Sequence, residues 1–351
     1  MFGLKEILKL QQKIVPELIE VLEKRYTILR TIYYNGPIGR RVLATELDIG
    51  ERTVRTEINF LKSQNLINIS TPGMTVTEEG EEVLEKLKTF IYELKGLSDL
   101  EEALRKVLGA DKVIIVPGDV DEDESVMKDL GKAAAAYVRS IITNDSIITL
   151  TGGTTMKEVV DNFPLTTGYE NILILPARGG MGRNVETQAN TLAANLSKRV
   201  NGNYKMLHIP DSLSDTAMSA MMNEEYISDI VASIKNADIL LYGIGKAESM
   251  CRKRGMSEEK TKEIMSKGAE GEAFGCYFSE HGEVVYSISS VGITGEDAEN
   301  IEHLVAVAGG IFKAKAIIAA QLKNPRSVLV TDEGAAREIL HILNKDMKVI
   351  N

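Results

Sequence analysis

From Lys112 onward the sequence alternates short β-branched runs with helical segments, and such a chain is held to one kind of architecture, parallel strands joined by helical crossovers. The pattern predicts strands at 113–116, 146–150, 172–175, 206–209, 239–243 and 328–330, with helices that include 126–142, 186–200 and 301–322. Residues 274–291, with Glu280-His281-Gly282-Glu283 as a turn, read as an antiparallel insertion. Ligands of open parallel sheets bind beyond the carboxyl ends of the strands. The residues that follow each strand are therefore where binding chemistry is sought.

Upstream the periodicity is different. Leu18, Val21, Leu22, Ile28, Leu29 and Ile32 recur at helical spacing until Asn35-Gly36-Pro37 stops the run. A shorter amphipathic stretch over 4–14 precedes it and reads as an arm for packing or oligomerisation. Two short helices then follow, 39–47 and 52–62, joined by a tight turn with Gly50, the spacing of a helix-turn-helix. Ala44, Leu47, Val54, Ile58 and Leu61 form its inward set. That leaves Arg52, Thr53, Arg55, Thr56 and Asn59 on the outward face of the second helix, residue types suited to reading a DNA groove. The alternation in 66–70 and 74–77 around Thr71-Pro72-Gly73 predicts a β-hairpin where a wing belongs. The expected division is a winged helix-turn-helix DNA-binding domain over 1–77, a linking and dimerising helix over 78–108, and a Rossmann-like parallel α/β domain over 109–351. In the linking helix Val83, Leu84, Leu87, Ile91 and Leu94 share one side.

Charge follows the same division. The net charge of −10 argues against nucleic acid at first sight, but residues 1–75 hold 11 Lys and Arg against 8 Asp and Glu, a balance of +3. The rest holds 30 against 43, a balance of −13, so only the N-terminal part suits a polyanion. No run of about 18 uncharged apolar residues exists, and MFGLKEILKL has charges too early for a secretory leader. A cytoplasmic protein without membrane contact is expected. Cys251 and Cys276 lack a CxxC neighbour and the four histidines are scattered, which argues for buried free thiols and against a metal site. No cofactor is expected.

The sharpest binding signal is Thr151-Gly152-Gly153-Thr154-Thr155 at the end of an apolar strand. Glycines let a ligand approach the backbone, and helix-start N–H groups with two hydroxyls make an anion cradle, the alternative being a tight strand-to-helix turn with a threonine cap. Similar loops follow other strands: Pro176-Ala177-Arg178-Gly179-Gly180 and Gly243-Ile244-Gly245-Lys246. Arg178, Arg252, Arg254 and Lys313 supply cations within reach of that edge, although Arg252-Lys253-Arg254 also reads as a solvated helix end. Gln188 and Glu272 are candidates for hydrogen bonds to sugar hydroxyls. Asp332-Glu333 is the one carboxylate pair that stands out, and adjacent carboxylates on a loop usually sit in water. No Ser/His/Asp, Cys/His or Walker A pattern appears.

Five motifs occur in order: TGGTT at 151–155, PARGG at 176–180, GIGKA at 243–247, AVAGGIFKAKAI at 306–317 and VTDEGAA at 330–336. Together they resemble the sugar-binding domain of SorC-family transcriptional regulators, and with the winged N-terminus the chain is similar to the glycolytic subgroup of that family. The resemblance implies a sugar-phosphate-isomerase-like α/β domain retained for sensing and a repressor of a glycolytic operon that includes glyceraldehyde-3-phosphate dehydrogenase. It also implies fructose-1,6-bisphosphate as effector, double-stranded operator DNA as partner, and dimers that pair into tetramers. By motif, Gly152, Gly153, Thr154 and Thr155 would cradle one phosphate, with Arg178 and Lys313 lending charge. Gln188 and Glu272 would meet the sugar, and a basic residue of the 252–254 run, Arg252 or Arg254 among them, the second phosphate. The competing reading is a sugar-phosphate isomerase or deaminase with an accessory domain, whose α/β half would look nearly the same. Such an enzyme needs no exposed Arg/Thr/Asn helix followed by a wing.

Overall fold

The computed structural model describes residues 14–181, 184–211, 214–321 and 325–350. The arm expected over 4–14 lies, apart from Ile14, outside them. The chain forms two compact units, Met1–Asp99 with Glu122–Ser125, and Leu100–Asp121 with Val126–Asn351.

In the first unit, α1 (Pro16–Asn35) begins with a proline in its first turn, where a missing N–H is not needed. Helices α2 (Arg40–Glu46) and α3 (Glu51–Ser63) form the helix-turn-helix. Asp48 takes the left-handed conformation, φ 48°, in the turn between them. Ile28, Leu29, Ile32, Leu43, Val54, Ile58 and Leu61 make one core. Strands β1 (Ile67–Ser70) and β2 (Gly73–Val76) pair antiparallel as the wing, with Ser70 opposite Gly73. Ile38 and Met74 exchange both backbone hydrogen bonds, 3.1 and 2.9 Å, which ties the wing to the segment ahead of α2. Only glycine suits position 73: its φ is +144° and a Cβ would stand 2.8 Å from the Ile38 backbone.

Helix α4 (Glu78–Leu94) starts on Thr77, whose hydroxyl accepts the Gly80 N–H at 3.0 Å. Leu84, Ile91 and Leu94 belong to the same buried core as the helix-turn-helix. The segment expected to link the two domains packs into the first unit up to Leu94, and a break at Gly96, φ +64°, separates it from α5 (Leu97–Leu108). Within the second unit Glu101 of α5 accepts the N–H of Ile115 at 2.7 Å.

The second unit is the expected α/β sheet. Its strands are β3 (Lys112–Val116), β4 (Ile147–Leu150), β5 (Leu173–Pro176), β6 (Asn203–Tyr204), β7 (Ile239–Lys246), β11 (His303–Val307) and β12 (Ser327–Asp332). They run parallel in the order β6-β5-β4-β7-β11-β12-β3. The far end of β7 turns antiparallel and carries β8 (Ala269–Ala273), β9 (Cys276–Ser279) and β10 (Val284–Ser287). The last two are the expected insertion. Helices α6 (Ser125–Ile141), α7 (Thr154–Asp161) and α8 (Ala189–Arg199) pack on a core that includes Ile148, Leu150, Leu241, Val305, Val307 and Val330. Cys251 and Cys276 are buried free thiols. Among the described residues no helix is long and apolar enough to cross a membrane.

Three expectations are corrected. Residues 301–322 are not one helix: β11 fills the middle of the sheet, a turn passes Gly309-Gly310, and a 3-10 turn (Ile311–Lys313) leads into α14 (Ala314–Gln321), where α9 to α13 are Asp215–Met222, Glu225–Lys235, Ala247–Lys253, Glu258–Ser266 and Gly295–Ala298. Leu304 to Val307 are buried on both faces, so the strand shows no alternation. Residues 206–209 are not a strand, and the sheet edge is the two-residue β6 instead. The 186–200 helix is divided into a 3-10 turn (Val185–Thr187) and α8, with Gln188 between.

The fourth correction concerns Asp332, which is fully buried rather than solvated. Its carboxylate accepts N–H groups from Val120 at 2.9 Å, Gly310 at 2.8 Å and Ala335 at 2.8 Å, so one side chain pins two loops and the first turn of the following helix at the carboxyl edge of the sheet. Glu333, the first residue of α15 (Glu333–Ile350), accepts the Gly118 N–H at 3.2 Å and pairs with Arg337 at 2.9 Å. Burial pushes the Asp332 carboxyl up to about 6, the three N–H groups oppose this, and the nearby Asp119 charge adds to it. A folded-state value above the ordinary unfolded one near 4 means that this group's contribution is complete below about pH 4 and is lost as pH rises through about 6, a change of about 3 kcal/mol. Urea unfolding between pH 4.5 and 7 is expected to show that downward component in the wild type and not in Asp332→Asn. Parallel profiles for the two proteins would contradict the assignment.

Candidate functional site

In the first unit the outward face of α3 is as expected: Arg52, Thr53, Arg55, Thr56 and Asn59 are exposed, while Val54, Ile58 and Leu61 are buried. The Thr56 hydroxyl donates to the Arg52 carbonyl at 3.1 Å, a local bond that leaves the side chain at the surface. Sequence reasoning missed how the helix is fixed. Glu57, on the inner side of α3, is buried and meets Lys24 Nζ at 2.9 Å and Arg25 Nε at 2.8 Å, both from α1. The Arg25 guanidinium also lies 3.5 Å from the centroid of the Phe60 ring. Burial works against the Glu57 charge, but the bonds from Arg25 and Lys24 hold its carboxyl below the ordinary range. The result is a helix that presents cations and small polar groups outward from a fixed base.

In the second unit, loops leave β4, β5 and β11 at the carboxyl edge of the sheet, whereas Gly243-Ile244-Gly245-Lys246, expected as a loop, continue β7 and pair with β8 before α11 begins at Ala247. At the first, Thr151 N donates to Leu241 O at 3.0 Å and Gly153 N to Thr187 O at 2.9 Å. Gly152 has no room for a side chain, since a Cβ would stand 2.6 Å from Thr187 O, and Gly153 has φ +122°. The Lys157 N–H to Gly153 O bond, 3.0 Å, opens the helical ladder of α7. The amides of Thr154, Thr155 and Met156 therefore precede it, in the position where a helix start receives an anion. Thr154 is exposed and Thr155 buried.

The second loop is stitched to the first. Gln188 accepts the Met181 N–H at 3.1 Å and donates to the Met181 carbonyl at 2.5 Å, so the side chain expected at a sugar hydroxyl holds the 178–181 loop beside the 185–188 turn. Arg178 is buried. Its Nε donates to Asp211 at 2.9 Å and its Nη1 to the Phe274 carbonyl. Arg254 also points inward, with Nη1 on Asp211 and Nη2 on Glu272 at 2.8 Å. Glu272 in turn accepts the Gly275 N–H at 2.6 Å. Three of the predicted effector residues, Arg178, Arg254 and Glu272, are thus brought together as a buried ionic quartet completed by Asp211, which sequence reasoning missed. Burial and the adjacent Arg254 charge press the Arg178 guanidinium down to about 10, which leaves it charged at neutral pH. Gly275, φ +90°, is required here because any Cβ would collide with that guanidinium.

The remaining cations separate. Arg252 lies on the exposed side of α11 and pairs with Glu248 one turn earlier at 2.5 Å, so it is not part of this assembly. Its helical position turns it away from its neighbour Arg254. Lys313, at the end of the 3-10 turn, is driven below the ordinary lysine value by burial first and by the nearby Lys253 charge second, with Asp121 and Asp332 opposing. Of the 252–254 run it is therefore Lys253 that shares an electrostatic environment with Lys313. The Gly152–Thr155 helix start is thus the place on the sheet edge where the structure gathers anion-binding groups, with Lys313 beyond β11 as a further cation. Among the described residues no group of His, Cys, Asp and Glu has the arrangement of a metal site.

Comparison with known proteins accords with this division. The family model of the CggR N-terminal DNA-binding domain matches residues 21–91 and that of the sugar-binding domain residues 92–341. The central glycolytic genes regulator of Bacillus subtilis is 41% identical over 336 residues, 95% of this chain and 98% of that protein. The regulator of the same name from Priestia megaterium is 39% identical over 342 residues, 97% and 100% of the two chains. Among solved structures, a SorC-family transcriptional regulator from Enterococcus faecalis superposes with TM-score 0.65 at 35% identity, over 69% of this chain and 99% of that one. The full-length sorbitol operon regulator SorC of Klebsiella pneumoniae shares the fold, with TM-score 0.65 at 18% identity over 90% and 97%. With an N-terminal DNA-binding domain and a larger parallel-sheet sugar-binding domain, the chain belongs to the SorC family of transcriptional regulators, among those that carry the CggR N-terminal domain.

Proposed function

We propose that the protein represses a glycolytic operon in the cytoplasm and that a phosphorylated sugar, fructose-1,6-bisphosphate, weakens its hold on the operator. The observation that carries this reading is the pairing, in one chain, of an exposed Arg/Thr/Asn helix face beside a wing with an amide- and cation-lined sheet edge. On this reading Arg52, Thr53, Arg55, Thr56 and Asn59 enter the major groove of double-stranded DNA. One phosphate of the effector lies against Gly152 and Gly153 on the amides of Thr154 and Thr155, and the other on Lys253 and Lys313. Arg178 and Arg254 turn to the first phosphate as it enters, and Gln188 and Glu272 meet the sugar. The names of the 41% and 39% identical relatives support a glycolytic target. The protein acts as dimers that pair on the operator, and binds its effector without converting it.

A repressor released by a ligand needs a difference in affinity between two states, about 1–3 kcal/mol for typical allosteric coupling. In operator gel shifts, fructose-1,6-bisphosphate is expected to lower affinity or cooperativity about 5- to 150-fold. Unchanged binding would overturn the effector assignment.

Arg55→Ala separates the two roles an arginine can take on DNA. A loss of about 1–3 kcal/mol confined to particular operator bases is expected if Arg55 reads a base edge. A uniform loss across sequences with a shallower salt dependence would place it on phosphate, and unaltered affinity would mean that α3 is not the reading helix.

A further inference from the structure

The ionic quartet holds an anion where an effector's phosphate would be welcome. Asp211 presents one carboxylate oxygen to Arg178 Nε at 2.9 Å and the other to Arg254 Nη1, so it bridges both guanidiniums. All four side chains are more than nine-tenths buried. Two positive and two negative charges cancel, which is what allows the group to sit away from water. The cancellation of charge is not matched by a full set of hydrogen bonds. Arg178 Nη2 and Arg254 Nε are buried and have no acceptor. An unmet buried donor is destabilising, and a phosphate offers a guanidinium fork more acceptor positions than one shared carboxylate does. Asp211 therefore neutralises the arginines without satisfying them.

Asp211 is also attached to something that can move with it. Its N–H donates to the Gly180 carbonyl at 2.9 Å, and Gly180 N donates to Ile209 O at 2.8 Å, a two-bond ladder between the 209–211 segment and the loop that carries Arg178. Gly179 is pressed against the same segment, where a Cβ would stand 2.5 Å from Pro210 O. Four residues after Asp211 the methionine-rich α9 begins, capped by Ser214.

The geometry points to Asp211 as a built-in competitor of the effector: its carboxylate occupies the two arginines in the unliganded protein, and an entering phosphate displaces it together with the 209–211 segment. This goes beyond the assignment of the effector site and rests on the reading that Arg178 and Arg254 face that site. Asp211 sets the affinity of the pocket by opposing entry, and its release is the first movement that ligand binding imposes on the domain.

The test has two arms. In hydrogen exchange on the wild-type protein, saturating fructose-1,6-bisphosphate is expected to speed exchange of the Asp211 and Gly180 amides at least 10-fold, while amides at 152–156 are slowed. Slower or unchanged exchange at 180 and 211 would overturn the inference. In the second arm, Asp211→Asn, checked for folding by circular dichroism, is titrated calorimetrically with inorganic phosphate and with fructose-1,6-bisphosphate. At least 10-fold tighter binding of inorganic phosphate than in the wild type is expected, and equal or weaker binding would count against the competitor role. If Asp211→Asn does not fold, the exchange measurement on the wild type decides. The two readings fail differently. Gain of phosphate affinity in Asp211→Asn with no effect of the bisphosphate on operator binding would remove the effector identity and keep Asp211 as competitor. Operator release by the bisphosphate with no gain in the variant would do the reverse.

Discussion

Parallel strands all finish at one edge of a sheet, and every loop that leaves this edge has backbone N–H groups the ladder no longer satisfies. Much of the second unit can be understood as an answer to that constraint. Asp332 takes up such groups from two loops and from the first turn of α15, and Glu333 takes up that of Gly118. The amides at the start of α7 precede its first helical bond and remain available to a ligand anion. A receptor for an anionic ligand requires little else from such a fold than to leave a few donors unmet at the right place.

Buried carboxylates recur as ties between segments distant in sequence. Glu57 joins α3 to α1 through Lys24 and Arg25, and Asp211 joins Arg178 to Arg254. Breaking such a pair by removing one partner leaves an uncompensated charge inside, which is far more costly than the net worth of the pair. The ties therefore give definite positions more than they give stability. Where one of them can be exchanged for a ligand anion, position becomes responsive to ligand.

Local patterns were legible in the sequence and distant pairings were not. The helix-turn-helix and its exposed face followed from the spacing of Val54, Ile58 and Leu61, and the wing from Thr71-Pro72-Gly73, because helices and hairpins are set by near neighbours. Strand β11 was hidden because Leu304 to Val307 are buried on both sides and run on toward an alanine-rich helix. The glycine loops were recognisable as strand ends with special backbone needs, and Gly152 and Gly153 have them. Which cation serves which loop was not legible: Arg252, Lys253 and Arg254 differ only by helical rotation, and that rotation turns Arg254 to Asp211 and Arg252 to Glu248. Asp211 carried no signal at all, since its partners lie 33 and 43 residues away.

The central claim is that one edge of the sheet is the anion receptor of this regulator. A crystal structure of the full chain grown with fructose-1,6-bisphosphate addresses it directly. The account predicts one phosphate at residues 152–155, on the amides that start α7, and the other between Lys253 and Lys313. Ligand density on another face of the domain, or an edge left empty at saturating ligand, would contradict it.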